Sequence, residues 1–170
     1  RTFDEAINVY DAVKKTGITF QLGHQNRQVE ANEKAKQIID QGLLGPINLV
    51  ELTTNRNSPW GAWVWDIHPE GNARTIDWDT FQEQAPNKIP FGEEALKRFF
   101  RWRCWFDYGT GLSGDLFSHD FDTLNQIMEI GIPKYASSTG GIYFFKDGRD
   151  VPDVWNATLE YPDKDLTVLY

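Results

Sequence analysis

The sequence has 170 residues, a formal net charge of −8, 14% aromatic residues and seven Trp, enough chain to bury one sizeable core. No run of Lys or Arg could neutralise several phosphates in a row, which excludes nucleic acid and an anionic membrane surface as partners. No stretch of about 18 apolar residues exists to span a bilayer, and Cys104, the single cysteine, rules out an intramolecular disulfide and a clustered-thiolate metal site.

Thr2-Phe3-Asp4-Glu5 reads as a capping box, and Phe3, Ala6, Tyr10 and Val13 follow at helical spacing until Gly17 ends the run. The apolar run Ile18 to Leu22 has the length of a buried strand. Helix, tight turn and buried strand in that order is how a parallel α/β sheet finishes. Residues 1–24 are therefore expected to close an α/β domain whose other strands precede residue 1, with residues 25–170 forming a second domain.

From Val29 the pattern is helical, with Ala31, Ala35, Ile38 and Ile39 apolar, and Gly42 and Gly45 close it before a strand from Ile47 to Thr53. Asn55 to Tyr108 shows no sustained period and carries breaks at Ser58-Pro59, His68-Pro69 and Pro86 to Pro90. Its aromatic content between Trp60 and Trp105 argues for an ordered functional excursion rather than a linker. Gly114 to Ile130 reads as a helix, and Tyr135–Phe145, Trp155–Tyr161 and Leu166–Tyr170 as strands, with turns at Lys146-Asp147-Gly148 and Pro162-Asp163-Lys164. The expected fold class is α+β: an open, mainly antiparallel sheet with helices on one face. The last strand stops without a closing element, so the C-terminus is expected to lie inside a longer fold.

Gly109-Thr110-Gly111-Leu112-Ser113-Gly114 satisfies G-x-G-x-x-G, but a dinucleotide fingerprint needs a buried strand before it and an acidic strand end about 20 residues later. Phe99 to Tyr108 carries two Arg and an Asp where that strand should be. The loop reads instead as a flexible turn feeding a helix. On that helix Phe117, Phe121, Leu124 and Met128 form an apolar stripe, and Asp115, His119, Asp122 and Gln126 a polar one roughly opposite. Asp115 falls in the first turn, where the helix dipole favours a carboxylate, and its i,i+4 spacing predicts a place beside the His119 imidazole. An imidazole of ordinary pKa near 6.5 accepts a hydroxyl proton close to neutrality. The alternative is a solvated surface pair. A metal site from His119, Asp120 and Asp122 is disfavoured, because Asp120 points away from the stripe the other two share.

The run from Gly109 through Asp115 and His119 to Asp122, with Leu43-Leu44-Gly45-Pro46-Ile47 upstream and Thr139 to Asp153 downstream, resembles the glucose-fructose oxidoreductase / inositol dehydrogenase (Gfo/Idh/MocA) family over essentially the whole chain. The resemblance implies an N-terminal Rossmann domain that binds NAD or NADP and a C-terminal α+β domain that binds substrate and forms a homo-oligomer through its sheet face. Thr2 to Leu22 would be the last helix and strand of the Rossmann domain. The family's Asp-x-x-x-His falls on Asp115 and His119. It implies His119 as the acceptor of a sugar hydroxyl proton while hydride leaves the same carbon for nicotinamide, with Asp115 orienting substrate or His119. The family's Lys, in a Glu-Lys-Pro motif, would precede Arg1, so the 170 residues alone are expected to be inactive. Gln25, Asn26 and Arg27 would follow the final Rossmann strand and face the nicotinamide cleft, with a domain-interface ion pair as the alternative for Arg27.

The aromatic excursion then suits a small carbohydrate or polyol, since aromatic faces stack on sugar rings while Arg and Asp bond hydroxyls. Arg27, Trp65, Arg101, Arg103, Tyr108 and Asp122 are the expected substrate contacts, while Trp78, Phe81 and Phe91 are expected to be core. The expected activity is an NAD(P)-dependent oxidoreductase on a sugar, glycoside or polyol. The alternatives are glycoside cleavage through transient oxidation, or a non-catalytic carbohydrate-binding or oligomerisation module. A cytoplasmic location is expected, with the periplasm as the alternative.

Overall fold

The computed structural model describes residues 2–55 and 63–170, so Ser58, Pro59 and Trp60 of the aromatic excursion lie outside the described residues. The expected capping box forms: Thr2 Oγ1 accepts from the Glu5 amide at 3.2 Å, and Glu5 Oε2 accepts from the Thr2 amide at 2.7 Å. Helix α1 runs Phe3–Thr16 and stops at Gly17, whose φ of 66° is the left-handed value that glycine adopts without strain. The strand expected over Ile18 to Leu22 does not form, and all five residues are exposed. A strand exists only through its neighbours' hydrogen bonds, and among the described residues no strand pairs with this segment.

Helix α2 spans Glu30–Asp40, and strand β1, Leu49–Glu51, is shorter than the expected run. Backbone bonds from Thr167 to Asn48 and from Leu52 to Leu169 carry its ladder one residue further each way. The excursion contains two helices that the aperiodic reading missed, α3 (Trp78–Phe81) and α4 (Glu93–Phe100). Asp77 caps α3 by accepting from the Thr80 amide. Glu93 and Glu94 in the first turn of α4, and Lys97 and Arg98 in its last, match the helix dipole.

The helix expected from Gly114 begins as a π-helical turn, Ser113–Phe117, and continues as α5, Ser118–Met128. Strands β2 (Tyr135–Gly141), β3 (Val154–Tyr161) and β4 (Leu166–Leu169) follow. β2 ends four residues before the expected Phe145, because Asp153 collects the amides of Tyr143, Phe144 and Phe145 and turns the chain out of the ladder.

The four strands lie in the order β1-β4-β3-β2; β4–β3 and β3–β2 are antiparallel and β1–β4 is parallel. The register places Val50, Leu166, Val168, Leu159 and Tyr161 on one face, where they meet Phe117, Phe121, Leu124 and Met128 of the helical segment. The predicted apolar stripe is thus the side of α5 that the sheet buries, and α2 packs on α5. The opposite face leaves Leu49, Tyr135 and Val154 exposed. A second, aromatic core joins Trp78, Phe81, Phe91, Phe99 and Phe100, and a third joins Trp63, Cys104, Trp105 and Val151. The architecture is α+β, as expected.

Candidate functional site

The polar stripe of α5 meets a short 3-10 turn, Gln25–Gln28, that precedes α2. Arg27 crosses to Asp122 with two charge-assisted bonds, Nε to Oδ2 and Nη2 to Oδ1, each 2.7 Å. One helical turn along, Gln126 Nε2 donates to the Arg27 carbonyl at 3.0 Å. His24, the residue before the turn, brings Nδ1 to 3.2 Å from Asp122 Oδ1. Its ring lies 5.2 Å from that of His119, centroid to centroid, at an interplanar angle of 57°. Arg27's hydrogen bonds hold the Asp122 carboxyl below the ordinary carboxylate range, against the opposing effect of burial, and His24 acts in the same direction. The same pair pushes Arg27 further up.

Asp115 is not the partner of His119. Its carboxylate accepts from Arg103 Nε at 2.8 Å, and the His119 Nδ1 is buried without a hydrogen-bond partner among the described residues. The expected i,i+4 neighbourhood presumed an α-helix through both residues. Asp115 lies in the π turn that precedes α5, and the ion pair with Arg103 holds its carboxylate instead. Gly114 belongs to the same device: a Cβ there would stand 1.9 Å from Thr110 Oγ1.

The remaining expected residues fall into two further groups. Arg103 lies over the Trp102 ring at 4.2 Å while holding Asp115. Arg101 Nε donates to the carbonyl of Trp65 at 2.7 Å, and the Trp65 side chain is half-exposed. Tyr108 is placed differently: its ring sits against Trp78 and Phe81, joining the second and third cores, and burial pushes its phenol up. It serves that core. Trp78, Phe81 and Phe91 are core residues as expected.

Of the residues expected at a cofactor, Gln25 is exposed, Asn26 accepts from Asn32 through its carbonyl, and Arg27 is committed to Asp122 with about half its side chain still exposed. The Gly109–Gly114 loop runs directly into the π turn that starts at Ser113. A Cβ at Gly111 would meet Phe106 at 3.2 Å and one at Gly114 would meet Thr110, so these glycines serve contacts inside the loop. Residues 99–108 form no strand before it. His24 is the site residue that sequence reasoning missed; the only signal was its position directly after the apolar run 18–22 and before Gln25.

No family model matches the sequence, and no curated protein matches it. Solved structures do. A super-repressor mutant of Gal80p from Saccharomyces cerevisiae is similar at 18% identity, over 98% of this chain and 38% of that one, with a TM-score of 0.61. The WlbA dehydrogenase from Bordetella pertussis, in complex with NADH and UDP-GlcNAcA, is similar at 15% identity over 99% and 40%, with a TM-score of 0.58. YvaA from Bacillus subtilis, described as an oxidoreductase, matches at 18% over 98% and 34%, with a TM-score of 0.55. The chain spans about two fifths or less of each of these structures. At such identities the likeness is one of fold: the chain shares the α+β architecture of these structures.

Proposed function

We propose that this chain is the substrate-binding part of an NAD(P)-dependent oxidoreductase acting on a sugar, glycoside or polyol, with His119 as acceptor of the hydroxyl proton. One observation carries the reading. The turn Gln25–Gln28 is clamped to the His119 face of α5 by Arg27 and Asp122, so a polar loop and the His119 imidazole share one edge of the domain. WlbA, of the same fold, binds NADH and a sugar nucleotide, which supports the substrate class.

Bound NAD or NADP supplies the hydride acceptor. Gln25 and Asn26 would be the residues to hold the carboxamide end of such a group, whereas the described residues offer no backbone cradle for its phosphates. His119 takes the hydroxyl proton, while Asp122, held below the ordinary carboxylate range, secures the neighbouring His24 and Arg27 side chains. Arg103, spread over Trp102 and tied to Asp115, and the exposed Trp65 face, anchored by Arg101, provide a cation and an apolar plate for a sugar ring. The exposed sheet face with Leu49, Tyr135 and Val154 is proposed as the contact with a second copy, which light scattering tests.

The capture of Asp115 by Arg103 favours a second reading, a non-catalytic carbohydrate-binding module, since it leaves His119 without a carboxylate. Gal80p, a repressor, has the same fold. A panel of sugars, glycosides and polyols, followed by nicotinamide absorbance in the full-length natural protein, separates the possibilities. Net NADH formation supports the dehydrogenase. Glycoside cleavage with no net NADH supports transient oxidation. Sugar binding with no turnover, unchanged by His119→Ala, supports the module.

A further inference from the structure

We infer that His24 is the positioning residue of His119, taking the place that Asp115 leaves; the inference rests on the reading of His119 as proton acceptor. A proton acceptor must hold its nitrogen within hydrogen-bond reach of the proton it removes. An imidazole on a single flexible arm does not do so by itself, because its χ2 torsion is broad. In a site of this kind a carboxylate or carbonyl usually fixes the ring. Here Asp115 is bonded to Arg103 and, among the described residues, the His119 Nδ1 has no partner, so no hydrogen bond among them fixes the plane of this ring.

The neighbour that remains is aromatic. The His24 ring stands 5.2 Å from that of His119 and inclined to it, and His24 is itself secured. Its Nδ1 lies 3.2 Å from Asp122, which is locked by the two 2.7 Å bonds of Arg27. The turn that carries Arg27 is tied to α5 a second time by Gln126. His24 is therefore braced from α5, the same helix that bears His119, and the two rings keep their relation when the domain moves as a body.

The test uses the 170-residue chain with labelled histidine, whose three imidazoles, His24, His68 and His119, are read by NMR. In the unaltered chain, ring protons of His24 and His119 are expected to show direct cross-relaxation, and His119 to give one narrow set of signals. His24→Ala should abolish that relation and shift and broaden the His119 signals. His24→Phe, which keeps a ring but gives up the bond to Asp122, should retain a single His119 set. His68, whose Nδ1 accepts from the Glu70 amide at 3.2 Å, reports that the fold survives. If His24→Ala fails to fold, His24→Phe decides: a folded Phe variant with His119 mobile overturns the inference. So does a His24→Ala chain whose His119 shifts and linewidths are unchanged. A His119 that behaves as expected in all variants, yet never responds to added monosaccharides or polyols, sinks the carbohydrate reading and leaves the positioning role standing.

Discussion

Arg27 and Asp122, 95 residues apart in sequence, form a two-point ion pair with both N–O distances at 2.7 Å. This single contact fastens the turn before α2 to the middle of α5. It thereby sets which polar groups face one another at the candidate site.

Asp122→Asn is expected to destabilise the chain at pH 7 by about 1 kcal/mol, since water reaches half of Arg27 and screens the pair. The pH dependence has a definite sign. The folded-state carboxyl of Asp122 is lowered from its ordinary 3.8, so the native protein binds that proton later than the unfolded chain does. The stabilisation is complete above about pH 4 to 5 and is lost as pH falls through the lowered value. Urea denaturation of both proteins at pH 7 and pH 3 should show the difference shrinking at the lower pH; a gap that widens on acidification contradicts the assignment.

Gly114→Ala tests the π turn. The new methyl would stand 1.9 Å from Thr110 Oγ1 and 2.6 Å from Thr110 Cβ. Overpacking of this kind costs about 1–3 kcal/mol. Adding Thr110→Gly removes the obstructing side chain and should restore part of the loss, measured by urea midpoint; strictly additive losses in the double variant would exclude the contact as the cause.

These two features mark where the sequence was readable and where it was not. The Thr2–Glu5 box, the stripe Phe117, Phe121, Leu124 and Met128, and the strands of the sheet each rest on local pattern, and the structure has them. Helix α4 also carried a pattern, Ala95, Leu96, Phe99 and Phe100 between acidic and basic ends, but the surrounding Pro and Gly breaks obscured it. Ile18 to Leu22 looked like a strand because it is apolar, yet apolarity cannot supply the paired strand. At the site, the face bearing His119 and Asp122 was legible from period alone. Their partners were not: Arg103 takes Asp115 across a π turn that no local signal announces, and His24 reaches His119 through tertiary contact.

Asp153 accepts three backbone amides, at 2.9, 2.9 and 2.7 Å. Burial alone would raise its carboxyl, yet the three amides bring it below the ordinary range. Asp153→Ala should release the Tyr143–Phe145 turn at a cost of about 2–3 kcal/mol. Hydrogen exchange at those three amides is expected to accelerate well beyond that of β3; equal protection in the variant would contradict the clamp.

Arg149 is buried, bonds Asp147 through Nε and Nη2 at 2.9 and 2.8 Å, and lies over the Phe145 ring at 4.5 Å. Asp147→Ala leaves that guanidinium buried without its counter-charge, which typically costs about 3–5 kcal/mol. Arg149→Met with Asp147→Asn removes both charges and should be less damaging than Asp147→Ala. Calorimetric melting of the two variants checks the order, and the reverse order would remove the buried-charge explanation.

The most direct test of His119 as proton acceptor is the turnover of sugars and polyols by the full-length natural protein carrying His119→Asn. Loss of the base should lower kcat by about 10²–10⁴-fold while KM changes little, because Asn preserves size and polarity. Turnover undiminished by that substitution would contradict the account.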